Sequence, residues 1–184
     1  MKKADAEHLA DAIRAEWTGP PSSKARPYVR EFFERSRQRR KIEARVEGNH
    51  GVYTVSIESK GDNLAAACGC YIGRHGGCHH CEALAHTFLR EPASFAVIKT
   101  QRWDQVRSLD GLRTYLKSTR LEQLLDELKT RGVSRKAFAE SIGMNPRRLS
   151  SIQSSEARNH YYNELGATKL ACLWVLEHIQ AGDS

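Results

Sequence analysis

The stretch Cys68-Gly69-Cys70-Tyr71-Ile72-Gly73-Arg74-His75-Gly76-Gly77-Cys78-His79-His80-Cys81 decides how the chain is read. It gathers four of the protein's 5 cysteines and three of its 8 histidines. Two thiols one residue apart can both face into a tight turn, with Gly69 relieving the crowding between them. A glycine-rich loop then returns the chain to a second donor pair at the start of a helix. Four soft or borderline donors suit tetrahedral zinc. The positive end of the following helix also favours thiolate anions. Cysteines crowded this closely beside histidines are not ordinary packing residues, and in a reducing compartment they do not form a disulfide framework.

The flanks of this stretch support the same reading. Residues 42–46 and 52–57 alternate apolar and polar side chains, with Glu47-Gly48-Asn49-His50-Gly51 between them, a hairpin signal. Residues 60–63 form a second turn, and residues 64–67 a short third strand that runs into the cysteines. Residues 79–90 read as a helix that ends before Pro92. The spacing Cys-x-Cys, loop, Cys-x-His, with hairpin before and helix after, resembles the SWIM zinc finger family. Cys68, Cys70, Cys78 and His80 fill that pattern around a seven-residue loop, and the resemblance covers roughly residues 24–92. It implies a ββα module holding a structural zinc. Such modules occur in helicase-like ATPases, Mutator-type transposases and recombination accessory proteins, which implies DNA binding or protein binding.

Cys81 departs from the pattern, because Cys78-x-x-Cys81 is itself a common zinc-binding pair. Cys81, Leu84, Ala85 and Phe88 fall at i, i+3, i+4 and i+7, which explains Cys81 as the first member of a buried stripe. His80 has no such place in the stripe. His80 is therefore preferred as fourth ligand, with Cys81 the alternative and His75 and His79 behind. His86 is expected at the surface. Four protein ligands leave no open position for water, so the metal is expected to be structural, and a chelator to unfold this half.

Upstream, Leu9, Ile13 and Trp17 share one face of a helix over residues 4–17, and residues 19–23 form a Gly-Pro-Pro-Ser-Ser linker. Residues 28–40 predict a helix or an irregular basic arm. Downstream the chain turns all-helical near residues 98–103. A helix is expected over residues 106–117. Leu121, Leu124, Leu125 and Leu128 then give a strong amphipathic repeat.

Residues 134–152 carry a second pattern. Ser134 suits an N-cap, Gly143 a left-handed helix end, and Asn145-Pro146 the cap and first position of another helix. Small Ala139 lets two helices approach, with Leu149 and Ile152 inward. This resembles a repressor-type helix-turn-helix. The resemblance makes the helix from Pro146 a recognition helix that enters the major groove. Arg147 and Arg148 would then reach guanine edges or phosphates, and Ser150, Ser151 and Gln153 would add hydrogen bonds. Residues 167–179 form a last helix, apolar round much of its surface. It reads as an intradomain core helix or, alternatively, as the seam of a homodimer, with Cys172 a small buried hydrophobe.

Composition narrows the partners. Lys and Arg number 29 against 22 Asp and Glu, for a net charge of +7. Residues 24–45 hold nine basic and three acidic residues, and residues 131–158 hold six and two. Two local basic blocks suit a polyanion, here DNA and most simply duplex. The expected contacts are Arg35, Arg37, Arg39, Arg40 and Lys41 from the first block. The second block offers Arg135, Lys136, Arg147, Arg148, Ser151 and Gln153. Exposed Tyr28, Phe32 and Phe33 would instead suit single strands.

No phosphate-binding glycine loop, dinucleotide fingerprint or nucleophile elbow is present, so no enzyme activity is expected. A deaminase-like zinc site would need a His-x-Glu order that Glu82, after Cys81, does not supply. The start lacks an apolar leader and the run at residues 170–176 is too short to span a bilayer, which predicts a cytoplasmic protein, nucleoid-associated if bacterial, without membrane partners. The expected fold is α+β: a helix and linker over residues 1–23, a zinc module over 24–97, and a helical domain over 98–184. The expected function is a DNA-binding regulator or accessory factor. Its rival is an adaptor that docks a DNA-processing or recombination enzyme through the zinc module.

Overall fold

The computed structural model of the chain describes residues 3–61, 63–75, 77–99 and 101–178. The fold is mixed α+β, and the chain divides into two compact units, Met1–Lys99 and Thr100–Ser184.

In the first unit, α1 (Lys3–Glu16) leads through a 3-10 turn at Arg26–Tyr28 into β1 (Phe33–Gln38). The hairpin follows as β2 (Lys41–Gly48) and β3 (Gly51–Lys60), paired antiparallel from Lys41 opposite Glu58 to Gly48 opposite Gly51. β4 (Asn63–Cys68) continues the antiparallel run and sets Cys68 opposite Val55. After α2 (His79–Arg90), the short β5 (Ala96–Val97) lies parallel to β1. The sheet order is β4-β3-β2-β1-β5.

Period-two alternation drives the packing. Ile42, Ala44 and Val46 from β2 and Val55 and Ile57 from β3 are all buried on one face. Against them lie Leu84, Ala85 and Phe88 of α2 and Leu9 and Ile13 of α1. Fully burying each such side chain contributes about 1.5–3 kcal/mol. Helix α1 therefore belongs to the same core as the hairpin.

The expectation of a helix or loose arm over residues 28–40 is corrected. After Phe33, the run Glu34-Arg35-Ser36-Arg37-Gln38 is polar on both faces, so its strand period is hidden in the sequence. Pairing with β2 fixes it as a strand. The register shifts between Phe33 and Ser36, where Glu34 takes a positive φ of 49°, a bulge that re-aims Arg35. Of the three aromatics expected to be exposed, only Phe33 is, at 40%. Phe32 is buried, Tyr28 packs edge-on to His80 at 4.6 Å, and Phe33 sits under the Arg45 guanidinium at 5.4 Å.

The second unit contains α3 (Leu109–Ser118), α4 (Leu121–Thr130), α5 (Arg135–Ser141), α6 (Pro146–Ala157) and α7 (Leu165–His178). The start of α3 falls later than expected, because the Ser108 hydroxyl caps it by accepting from the Gly111 amide. All four leucines of the α4 repeat are buried. Ser134 caps α5 by accepting from Ala137, and Asn145 caps α6 by accepting from Arg147. Between these helices Gly143 adopts φ 69°. There its own amide donates to Glu140 and the Met144 amide to Ala139, which closes the helix end. Phe138, Ala139, Leu149 and Ile152 join the core with Cys172, Leu173, Val175 and Leu176 of α7. The expected end of the last helix at Ile179 lies outside the described residues. No helix among the described residues is long and apolar enough to cross a membrane.

Candidate metal centre and candidate nucleic-acid interface

Three elements deliver the donors. Cys68 closes β4, where the Gly69 amide extends the ladder by donating to the Thr54 carbonyl at 3.0 Å. Cys70 lies in the turn that follows. Cys78 is the N-cap of α2 and His80 lies in its first turn. The three Sγ atoms and the His80 ring nitrogen all lie within 4.8 Å of one another, and all four residues are buried. His80 Nδ1 is 3.7 Å from Cys68 Sγ and 4.0 Å from Cys78 Sγ. Tetrahedral zinc bonds would set such edges at roughly 3.5–3.8 Å. The two edges from His80 already lie close to that range, and the cluster could hold a metal ion.

The turn is built around sulfur. The Cys70 amide points at Cys68 Sγ at 3.4 Å, and the Gly73 amide donates to Cys70 Sγ at 3.1 Å. Both bonds favour the thiolate form. A Cβ on Gly73 would stand 2.4 Å from Cys68 Cβ and 2.7 Å from the Cys68 carbonyl oxygen. Gly73 is therefore the residue whose lack of side chain lets the turn close.

The electrostatics fit a cation. A hydrogen bond from Cys68, then one from Cys81, holds the Cys78 thiol far below its ordinary range. The same bond, then burial, pushes Cys68 up, and Cys81 is raised in the same way. Burial raises Cys70. Several thiols this close cannot all ionise without a compensating positive charge.

His80 is held by rings. It lies among Tyr28, Tyr53 at 5.3 Å and His79 at 4.1 Å, and its Nε2 is buried without a hydrogen-bond partner. Nδ1 is thus the nitrogen aimed at the sulfurs. A Cβ on Gly48 would meet the Tyr53 ring at 2.6 Å, so this glycine makes room for the ring cluster as well as closing the hairpin.

Cys81 lies outside the four-donor group, fully buried, with Sγ 3.7 Å from Cys78 Sγ. The side chain of His75 lies outside the described residues. His86 corrects an expectation. It is buried, because α2 is covered by α1 as well as by the sheet, and burial lowers its pKa. Glu82 is engaged by Ser22, whose amide and hydroxyl donate to its two oxygens at 2.6 and 2.7 Å, fixing the linker to α2.

The first basic block runs through the 3-10 turn and the β1–β2 hairpin and is not a loose arm. Arg35 is committed internally. Its guanidinium donates to the Phe32 and Arg30 carbonyls, the Glu91 carboxylate and the Ser94 hydroxyl. Arg37 pairs with Ile42 on the core face, and its Nε is buried without a partner. Arg40 faces Asp5 at 3.5 Å and Lys41 pairs with Glu43 at 2.7 Å. Arg39 stands exposed in the β1–β2 turn with φ 50°.

In the second unit, Arg135 bridges Asp126 at 3.0 Å and Gln153 at 3.1 Å, and Lys136 lies 3.9 Å from Glu140. Arg148 pairs with Glu164 at 2.6 Å and lies over the Tyr162 ring at 4.0 Å. Ser150 and Ser151 are exposed, their hydroxyls donating back to the Pro146 and Arg147 carbonyls. Arg147 is exposed on the first turn of α6, with no ion pair among the described residues.

Sequence reasoning missed Gly73, the Arg35 network and the buried Lys169. Lys169 did carry a signal, as the only charged residue between Leu165 and Leu176 of an otherwise apolar helix. Neither a family model, nor a curated protein, nor a solved structure matches the chain.

Proposed function

We propose that the chain is a non-enzymatic, zinc-stabilised DNA-binding protein that serves as a regulator or accessory factor in DNA transactions. The observation that carries this reading is the convergence of Cys68, Cys70, Cys78 and His80 on one buried point. Zinc bound there supplies a cross-link between the end of β4 and the start of α2. The chain's own residues do the rest. Gly73 and the two amide–sulfur bonds shape the turn, and Tyr28, Tyr53 and His79 orient the His80 ring. The SWIM resemblance of the same residues adds DNA or protein recognition to the reading.

The helical unit carries the contact with duplex. In this reading α5 and α6 act as a helix-turn-helix, supported by the Ser134 and Asn145 caps, the left-handed Gly143 and the buried Ala139, Leu149 and Ile152. Arg147 leads the contact from the exposed first turn of α6, with Arg148, Ser151 and Gln153 further along. Arg39 and Arg40 offer phosphate contacts in the first unit, whereas Arg35 serves the fold. Glu82, spent on Ser22, has no catalytic task in this account.

The adaptor reading keeps one specific support. Tyr71 and Ile72 in the metal loop are 81% and 61% exposed, and Leu170 and Trp174 of α7 are exposed too. Such side chains suit a protein partner or a second copy of the chain. Duplex binding measured at two salt concentrations separates the two. DNA recognition predicts an affinity that falls steeply with salt, whereas no binding at low salt by the zinc-loaded chain favours the adaptor.

A further inference from the structure

A fourth sulfur, that of Cys81, lies beside the donor group without belonging to it. Cys78 and Cys81 sit three residues apart at the first turn of α2, with Sγ atoms 3.7 Å apart. The Cys81 amide donates to the Cys78 carbonyl at 3.0 Å, so one hydrogen-bonded turn carries both. Cys68 and Cys70, by contrast, sit on β4 and the turn after it, and joining either to Cys78 would draw separate elements together. The three sulfurs of the donor group are occupied when a cation is held, and of the four cysteines in this stretch Cys81 keeps an uncommitted thiol.

We propose that Cys78 and Cys81 form a reversible disulfide under peroxide, a modification that removes Cys78 from the donor group and releases the metal. The inference rests on the zinc reading of that group. The chemistry balances with the oxidant named. The Cys78 sulfur attacks one peroxide oxygen, the O–O bond breaks, and a sulfenic acid and hydroxide result. The Cys81 sulfur then attacks the sulfenic sulfur, the S–O bond breaks, and the Cys81 proton leaves with the departing hydroxide as water. Two sulfurs are oxidised by one electron each, and the peroxide is reduced to one hydroxide and one water. Cys68, Cys70 and His80 remain, three donors where tetrahedral binding needs four.

The test treats the zinc-loaded chain with hydrogen peroxide. Released zinc is followed with a chromogenic chelator, free thiols are counted, and disulfides are mapped by peptide mass spectrometry. The expected result is two thiols lost per zinc released, a Cys78–Cys81 link, and full reloading after dithiothreitol and fresh zinc. Cys81→Ala should load zinc as the parent does, yet fail to reload after the same treatment because Cys78 oxidises further. A disulfide mapped to Cys68–Cys70 or Cys68–Cys78 overturns the proposal. So does full recovery of Cys81→Ala. If the purified chain carries no zinc, the zinc reading fails by itself, and mapping on that chain still decides whether Cys78 and Cys81 pair.

Discussion

Lys169 Nζ lies 2.6 Å from Glu156 Oε1, with 4% and 9% of the two side chains exposed. Lys169 also donates to the Leu116 carbonyl at 2.7 Å, and Glu156 accepts from the Leu121 amide at 2.8 Å. One buried ion pair thus joins α6 and α7 to the end of α3 and the start of α4. Removing one partner leaves an uncompensated charge in the core. Lys169→Met or Glu156→Gln should therefore destabilise the helical unit by about 3–5 kcal/mol, read by urea unfolding followed by circular dichroism. Replacing both by apolar residues of similar volume should recover much of that loss. A single variant within experimental error of the parent would mean that the pair is solvated.

The metal turn tolerates a side chain at one loop glycine and not at another. A Cβ on Gly73 would collide with Cys68, whereas one on Gly77 meets nothing within 4 Å. Gly73→Ala should lower zinc affinity and thermal stability of the first unit, while Gly77→Ala leaves both close to the parent. Competition with a chelator of known affinity reads the difference. Equal effects from the two variants would contradict the packing described here.

Acid should weaken the attachment of β1 through Glu91. A hydrogen bond from Arg35, with Arg30 nearby, holds the Glu91 carboxyl below its ordinary value of 4.5. A depressed folded pKa means that the stabilisation is present above the ordinary carboxylate range. It is lost as pH falls through the lower folded value. Glu91→Gln should destabilise the chain at neutral pH, and its difference from the parent should vanish in more acidic solution. A difference that grows on acidification would reverse the assigned sign.

How much of this was legible in the sequence depended on whether local pattern or long-range pairing fixed each element. The β2–β3 hairpin and α4 carry their own periodicity, and the caps Ser134 and Asn145 act within three residues. The donors sit close in sequence, so their convergence was readable. β1 was not, because its polar alternation gives no period and its partners β2 and β5 define it. Charge was the weakest guide. Arg35, Lys41 and Arg148 add to the basic blocks, yet each is paired with a carboxylate that counting leaves out. Lys169 was missed because its partner Glu156 lies thirteen residues earlier, on another helix.

The two arginines that open α6 should differ in their effect on DNA. Arg148 is held by Glu164 and Tyr162, and Arg147 is not so held. Arg147→Ala should weaken duplex binding more than Arg148→Ala and lower the salt slope by about one unit. Fluorescence anisotropy over a salt series measures both. Unchanged binding in the double variant would remove α6 from the interface.

X-ray absorption at the zinc edge of the purified chain reads the ligand shell of the Cys68–Cys70–Cys78–His80 group. The expected result is one zinc per chain with three sulfurs at about 2.3 Å and one nitrogen at about 2.0 Å. A four-sulfur shell would put Cys81 in the place of His80, and a folded chain with no bound zinc would contradict the account outright.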